Sequence, residues 1–178
     1  MNTVEIPGLG LFAEGKYGAY ISPPLNIAML GEKKCRFILE DYHPADPRRD
    51  DFRQAISNLL SLSPKALETV NSYVFQYYKD CVKEDQTLGL KNPVIDGPDE
   101  IWASVDFGTE LLVMRRSLTD PSIYIYVECE CSWETEHGLG VVFKEGLQVS
   151  KIGPCDGLLS HADVWDDMSH KDTIYVRH

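Results

Sequence analysis

Glu128, Glu130, Glu134, Glu136 and His137 fall in one short stretch, and Asp156, His161 and Asp163 follow around a glycine turn. Carboxylates held close together resist simultaneous ionisation, so such a group either takes up protons or recruits a cation. Two chemistries are open to these residues. In the first, carboxylates among Glu128, Glu130, Glu134, Glu136, Asp156 and Asp163 hold a divalent metal, with His137 or His161 as a further ligand or as the base of a metal-dependent hydrolase. In the second, Glu128, Glu130, Glu134 and Glu136 form an acidic face for a basic protein, with Trp165 as an aromatic contact anchor.

The spacing matches neither an EF-hand, nor a HExxH helix, nor a paired Cys-x-x-Cys zinc site. Zinc held by Cys129, Cys131, Cys155 and His137 would need two same-face strand neighbours and a loop, and the two strand cysteines read more simply as small buried hydrophobes. An imidazole beside a carboxylate suits general acid–base work near neutral pH, but no nucleophile accompanies it. There is no Gly-x-Ser-x-Gly elbow, no phosphate-binding loop and no thiol in a basic setting. Gly8-x-Gly10 is followed by Glu14-Gly15, which breaks the chain where a phosphate-binding helix would have to start. No catalytic residue and no cofactor are expected.

The acidic residues must be positioned by strands. From Ile123 to Trp133 the chain alternates, with Ile123, Ile125, Val127, Cys129, Cys131 and Trp133 on one face and Tyr124, Tyr126, Glu128, Glu130 and Ser132 on the other. Further strands are expected over 101–107, 110–115, 139–143, 147–152 and 173–176, with hairpin turns at Phe107-Gly108-Thr109 and Lys144-Glu145-Gly146. Residues 1–42 read as short strands punctuated by Gly8-Leu9-Gly10, Ser22-Pro23-Pro24 and Gly31-Glu32. Between these regions, Asp46-Pro47 and Ser63-Pro64 each place a capping side chain before a proline that needs no backbone donor. The first helix carries Phe52, Ile56, Leu59 and Leu60 on one face; the second carries Leu67, Val70, Val74, Tyr77, Tyr78 and Cys81. The spacing predicts an α+β fold: a mainly antiparallel meander with an αα-hairpin, about 47–61 and 64–84, packed on it. One domain spans 1–178, comprising a β-rich part at 1–42, the helical hairpin at 46–85 and antiparallel strands over 100–177.

The 178 residues are 43% hydrophobic and 25% charged, enough apolar surface for a packed core. The net charge of −11 is unevenly spread. Residues 1–93 hold 11 Lys+Arg against 12 Asp+Glu, a net of −1, whereas 94–178 hold 6 against 16, a net of −10. The field of the second half repels phosphate backbones and attracts cations or basic proteins, so nucleic acid is not an expected partner. The first residues lack a basic start and a long apolar run, which reads as a cytoplasmic protein without a membrane partner. Five cysteines fit reduced thiols rather than a disulfide framework. The oligomeric state is not legible.

The run Trp133-Glu134-x-Glu136-His137-Gly138-Leu139, then Phe143, Gly146 and Gly153-x-x-Asp156-Gly157-x-Leu159, resembles a group of uncharacterised bacterial domains of the domain-of-unknown-function class. The group often reads Asp-Gly-His-Leu where this chain has Asp156-Gly157-Leu158-Leu159, leaving His161 as the nearest imidazole. The resemblance implies a small acidic cytoplasmic protein related to immunity or antitoxin proteins. The expectation is therefore a non-enzymatic acidic binding protein, in its specific form an immunity protein that neutralises a basic toxin. The alternatives are the divalent-metal protein or hydrolase built on the Glu128–His137 and Asp156–Asp163 clusters, and an interaction module of a larger assembly.

Overall fold

The computed structural model describes residues 2–117 and 120–177. Its central feature is a nine-stranded sheet: β1 (Thr3–Ile6), β2 (Gly10–Glu14), β3 (Tyr20–Ile21), β4 (Leu25–Ile27), β5 (Lys33–Leu39), β6 (Val105–Arg115), β7 (Ile123–Cys131), β8 (Glu134–Lys144) and β9 (Gln148–Gly153). The order is β1-β2-β3-β5-β6-β7-β8-β9, with β4 paired to β5. Every pairing is antiparallel except β5 with β6, where Arg36 lies opposite Glu110 and Leu39 opposite Val113. A parallel pair needs a long crossover, and the intervening segment supplies it as helices. The fold is thus α+β, as the residue pattern predicts, and it departs from a pure meander at the parallel β5–β6 pair and where β3 skips β4 to pair with β5.

The helices α1 (Asp50–Leu60), α2 (Lys65–Glu68) and α3 (Asn71–Thr87) lie on one face of the sheet. Asp50 and Asp51 occupy the first turn of α1, where carboxylates complement the helix dipole. Phe52, Ala55, Ile56 and Leu59 form its buried stripe. Asp46 acts one turn earlier than expected: its side chain accepts from the Arg48 amide at 2.8 Å and shapes the entry turn rather than capping the helix. The second helix expected over 64–84 is two pieces. Val70, at φ −118° and ψ 8°, leaves helical geometry, and its buried side chain keeps the chain turned inward before α3 begins. Val74, Tyr77 and Tyr78 then face the core, while Tyr73 stays partly exposed.

One apolar core joins the helix face to the sheet, from Phe12 and Phe37 through Leu111, Val113, Ile125 and Val127 to Val141, Phe143 and Ile152. The turn at Lys144-Glu145-Gly146 forms as expected and packs directly on α1. Gly146 has φ +65°, and a Cβ there would stand 2.0 Å from the Ala55 carbonyl oxygen, so only glycine fits.

The expected turn at Phe107-Gly108-Thr109 does not form. Residues 101–104 are a 3-10 turn, the strands expected over 101–107 and 110–115 are the single strand β6, and Gly108-Thr109 is a bulge within it. The strand expected at 173–176 is also absent; among the described residues the last strand ends at Gly153. The chain instead crosses the second face of the sheet, forms the short helix α4 (His161–Trp165), and passes over the β9 edge. There the Ile152 amide donates to the Ile174 carbonyl at 2.7 Å, and the Tyr175 hydroxyl donates to Asp80 of α3 at 2.8 Å.

Candidate functional site

Strand β7 builds the site. Tyr124, Tyr126, Glu128 and Glu130 share its second face, but the two halves of that face differ. The tyrosines are almost fully buried with Val142 and Leu159, and Leu112 and Met114 pack against them. Glu128 and Glu130 are exposed. Directly opposite Glu130 on β6 is Asp106, also exposed.

Both neighbouring strands depart from β7 at this end. On one side the register breaks between Phe107 and Leu111; on the other, Cys129 pairs with Leu139 and Cys131 with Glu134, so residues 135–138 loop out of β8. The two bulges wall a groove of about 610 Å³ whose floor is the end of β7, and Cys155 and Lys33 also line it. Bulges re-aim side chains and terminate pairing, which here opens a trough at the end of a regular ladder.

Five carboxylates line the groove, Asp106, Glu128, Glu130, Glu134 and Glu136, against one lysine, Lys33. The Lys33 ammonium is committed, donating to Asp106 at 2.8 Å and to the Phe107 carbonyl. Glu134 is committed too. Its Oε1 accepts from the backbone amides of Glu136 at 2.9 Å and His137 at 3.1 Å, which pins the bulge, and His137 Nδ1 lies 3.7 Å away. At Gly138 φ is +64°, and a Cβ would lie 2.4 Å from the Cys129 carbonyl oxygen, so the bulge closes only over a glycine. The Tyr77 hydroxyl of α3 donates to the Gly138 carbonyl at 2.9 Å. Glu128, Glu130 and Glu136 remain, with no ion-pair partner among the described residues.

Asp156, His161 and Asp163 do not join this group. Asp156 pairs with the buried Lys151 at 2.5 Å and accepts from the Leu158 amide at 2.9 Å. Asp163 pairs with Arg116 at 2.5 Å. His161 is buried, with Nε2 3.1 Å from the Ile152 carbonyl and 3.2 Å from that of Ile174; two acceptors place the proton on Nε2. Trp165 lies on α4, 47% exposed, and does not line the groove. Among the described residues no group of three or more His, Cys, Asp or Glu side chains converges on a position that a metal ion could occupy.

The cysteines behave as the strand pattern implies. Cys129 and Cys131 are buried, and desolvation pushes the Cys129 thiol well above its usual range and that of Cys131 up to about 11. Burial also raises the half-buried Cys155 thiol. Thiols so shifted are poor nucleophiles at neutral pH.

Sequence reasoning did not find Asp106 or Lys33. Asp106 becomes part of the site through its register opposite Glu130, and Lys33 arrives from the far end of the chain through the parallel β5–β6 pair. A family model described as a domain of unknown function (DUF6985) matches residues 11–159, which include the sheet from β2 to β9 and the groove. No curated protein and no solved structure matches the chain.

Proposed function

The chain belongs to this family of domains of unknown function (DUF6985), and from that premise we propose that it is a non-enzymatic binding protein whose acidic groove receives a basic segment of a partner protein. One observation carries the reading: Glu128, Glu130 and Glu136 face solvent with no ion-pair partner among the described residues, whereas Asp120, Asp156 and Asp163 are each ion-paired. An unneutralised group of carboxylates steers and orients a cationic partner while repelling phosphate-bearing competitors. Neutralisation of a basic toxin in the cytoplasm is the specific form we favour, because the net charge of −10 over residues 94–178 suits fast capture of a basic protein. No helix among the described residues is long and apolar enough to cross a membrane. The metal reading is not carried forward, since its candidate ligands divide between the groove and the ion pairs of the C-terminal segment.

The test is binding of a labelled oligo-arginine peptide by fluorescence anisotropy across a salt series. Replacing Glu128, Glu130 and Glu136 together by Gln should weaken binding about tenfold at low salt, at a few tenths to one kcal/mol per exposed charge pair. Affinity unmoved by these substitutions and by salt would overturn the groove as the binding face.

A further inference from the structure

Away from the groove, a second pocket of about 420 Å³ opens between the end of β1 and the start of α1, and Tyr42, from the turn after β5, lines it. The Tyr42 ring packs edge-on against Tyr20 and Phe52, with ring centroids 5.7 and 5.4 Å away, so the side chain is fixed in place. The residue is only 7% exposed, yet its hydroxyl neither donates to nor accepts from any described residue. A buried tyrosine hydroxyl ordinarily has a hydrogen-bond partner, so a ring held this firmly with its polar tip left over calls for a partner that enters through the pocket. Burial pushes the hydroxyl's pKa up and the nearby Arg49 guanidinium pulls it the other way, which places the tip close to another lining residue of the same pocket.

The charges that line this pocket divide into a closed pair and an open one. Arg53 donates twice to Asp50, at 2.6 and 2.9 Å, so these two satisfy each other. Arg49 and Glu5 line the same pocket, and neither has an ion-pair partner among the described residues. One uncommitted cation and one uncommitted anion therefore border the same space without reaching each other. A ligand with only negative charge would be repelled by Glu5, and one with only positive charge by Arg49; a molecule carrying both charges is attracted at each end. Ile6, Pro7 and Pro47 supply apolar lining. We propose that this pocket binds a small zwitterion, an α-amino acid with an apolar side chain, whose carboxylate is held by Arg49 and the Tyr42 hydroxyl and whose ammonium is held by Glu5. A guanidinium and a hydroxyl donor both suit a carboxylate, and the volume lies in the usual range of small-molecule sites, about 300–1,000 Å³. The site shares no lining residue with the acidic groove, so the two readings stand or fall separately.

Three probes titrated calorimetrically into the full chain test the assignment: L-leucine, N-acetyl-L-leucine, which lacks the ammonium, and L-leucinamide, which lacks the carboxylate. Leucine should bind about tenfold more tightly than either derivative. Two variants then assign the ends. Tyr42→Phe keeps the ring packing and removes only the unpartnered hydroxyl, and Glu5→Gln changes one exposed side chain, so both should fold with the unfolding temperature of the unsubstituted chain. Each should weaken leucine binding about tenfold, and Glu5→Gln should leave N-acetyl-leucine unaffected while Tyr42→Phe leaves leucinamide unaffected. N-acetyl-leucine binding as tightly as leucine, with Glu5→Gln without effect, would overturn the zwitterion. Leucine that does not bind, or that binds equally to the chain and both variants, would overturn the site altogether.

Discussion

Glu134 and Glu136 are two residues apart in the same acidic run, yet they do different work. Glu134 turns inward and accepts from two backbone amides, while Glu136 points to solvent. A charged acceptor that holds two amides contributes to stability, whereas an exposed unpaired carboxylate does not. Glu134→Ala should therefore lower the unfolding free energy by about 1.5–3 kcal/mol in chemical denaturation. Glu136→Ala should leave it within about 0.5 kcal/mol, and the reverse order would refute the bulge-pinning role. The same division runs through the acidic candidates and His161: Glu128, Glu130 and Glu136 are available to a ligand, and Glu134, Asp156, His161 and Asp163 are occupied by the fold.

At the scale of elements, the bulged end of β7 and the C-terminal segment that begins beside it at Cys155 set the limits of the site. Asp120 is a buried junction that receives Arg116 and the Tyr124 hydroxyl from the sheet side and Lys171 from the C-terminal segment. Burial pushes its carboxyl up, but the hydrogen bonds from Arg116, Lys171, Ser122 and Tyr124 outweigh that and hold it well below the usual carboxylate range. A carboxylate lowered in the folded state stabilises above its unfolded value of about 4, and the contribution is lost as the pH falls through the folded value. Hydrogen exchange at Leu159 and Ala162 should accordingly accelerate below about pH 4, ahead of exchange at Val127 in the middle of β7. Amides of the C-terminal segment and of β7 opening together at every pH would show that Asp120 does not hold that segment.

For the whole molecule, one apolar core ties the N-terminal strands, the helices and the β6–β9 meander together, so local damage at its centre should be felt everywhere. Leu111 is fully buried and lies in β6 between Phe37 of β5 and Val127 of β7. Leu111→Ala should cost about 2–5 kcal/mol, and circular dichroism and tryptophan fluorescence should still report one shared transition. Two separated transitions would mean that the N-terminal strands and the meander unfold independently. The charge asymmetry also acts at this scale: the groove lies in the half of the chain that carries nearly all the net negative charge, so the long-range field and the local carboxylates favour the same class of partner.

The sequence by itself determined the α+β class, the helix stripes of α1 and α3, the alternation of β7 and the gathering of acidic residues at its end, because these depend on periodicities of 2 and 3.6 residues that are local to the chain. It also marked Cys129 and Cys131 as core. Only the tertiary structure decided that the acidic residues divide into a free set and a paired set. The partners concerned are far away in sequence: Arg116 lies 47 residues from Asp163, and Lys33 lies 73 residues from Asp106. The same holds for Tyr124 and Tyr126, whose alternation shows the face they share with Glu128 and Glu130 but not what covers it. Burial of that half depends on a C-terminal segment whose path is set by ion pairs and an edge-strand hydrogen bond, and neither leaves a periodic trace in the chain.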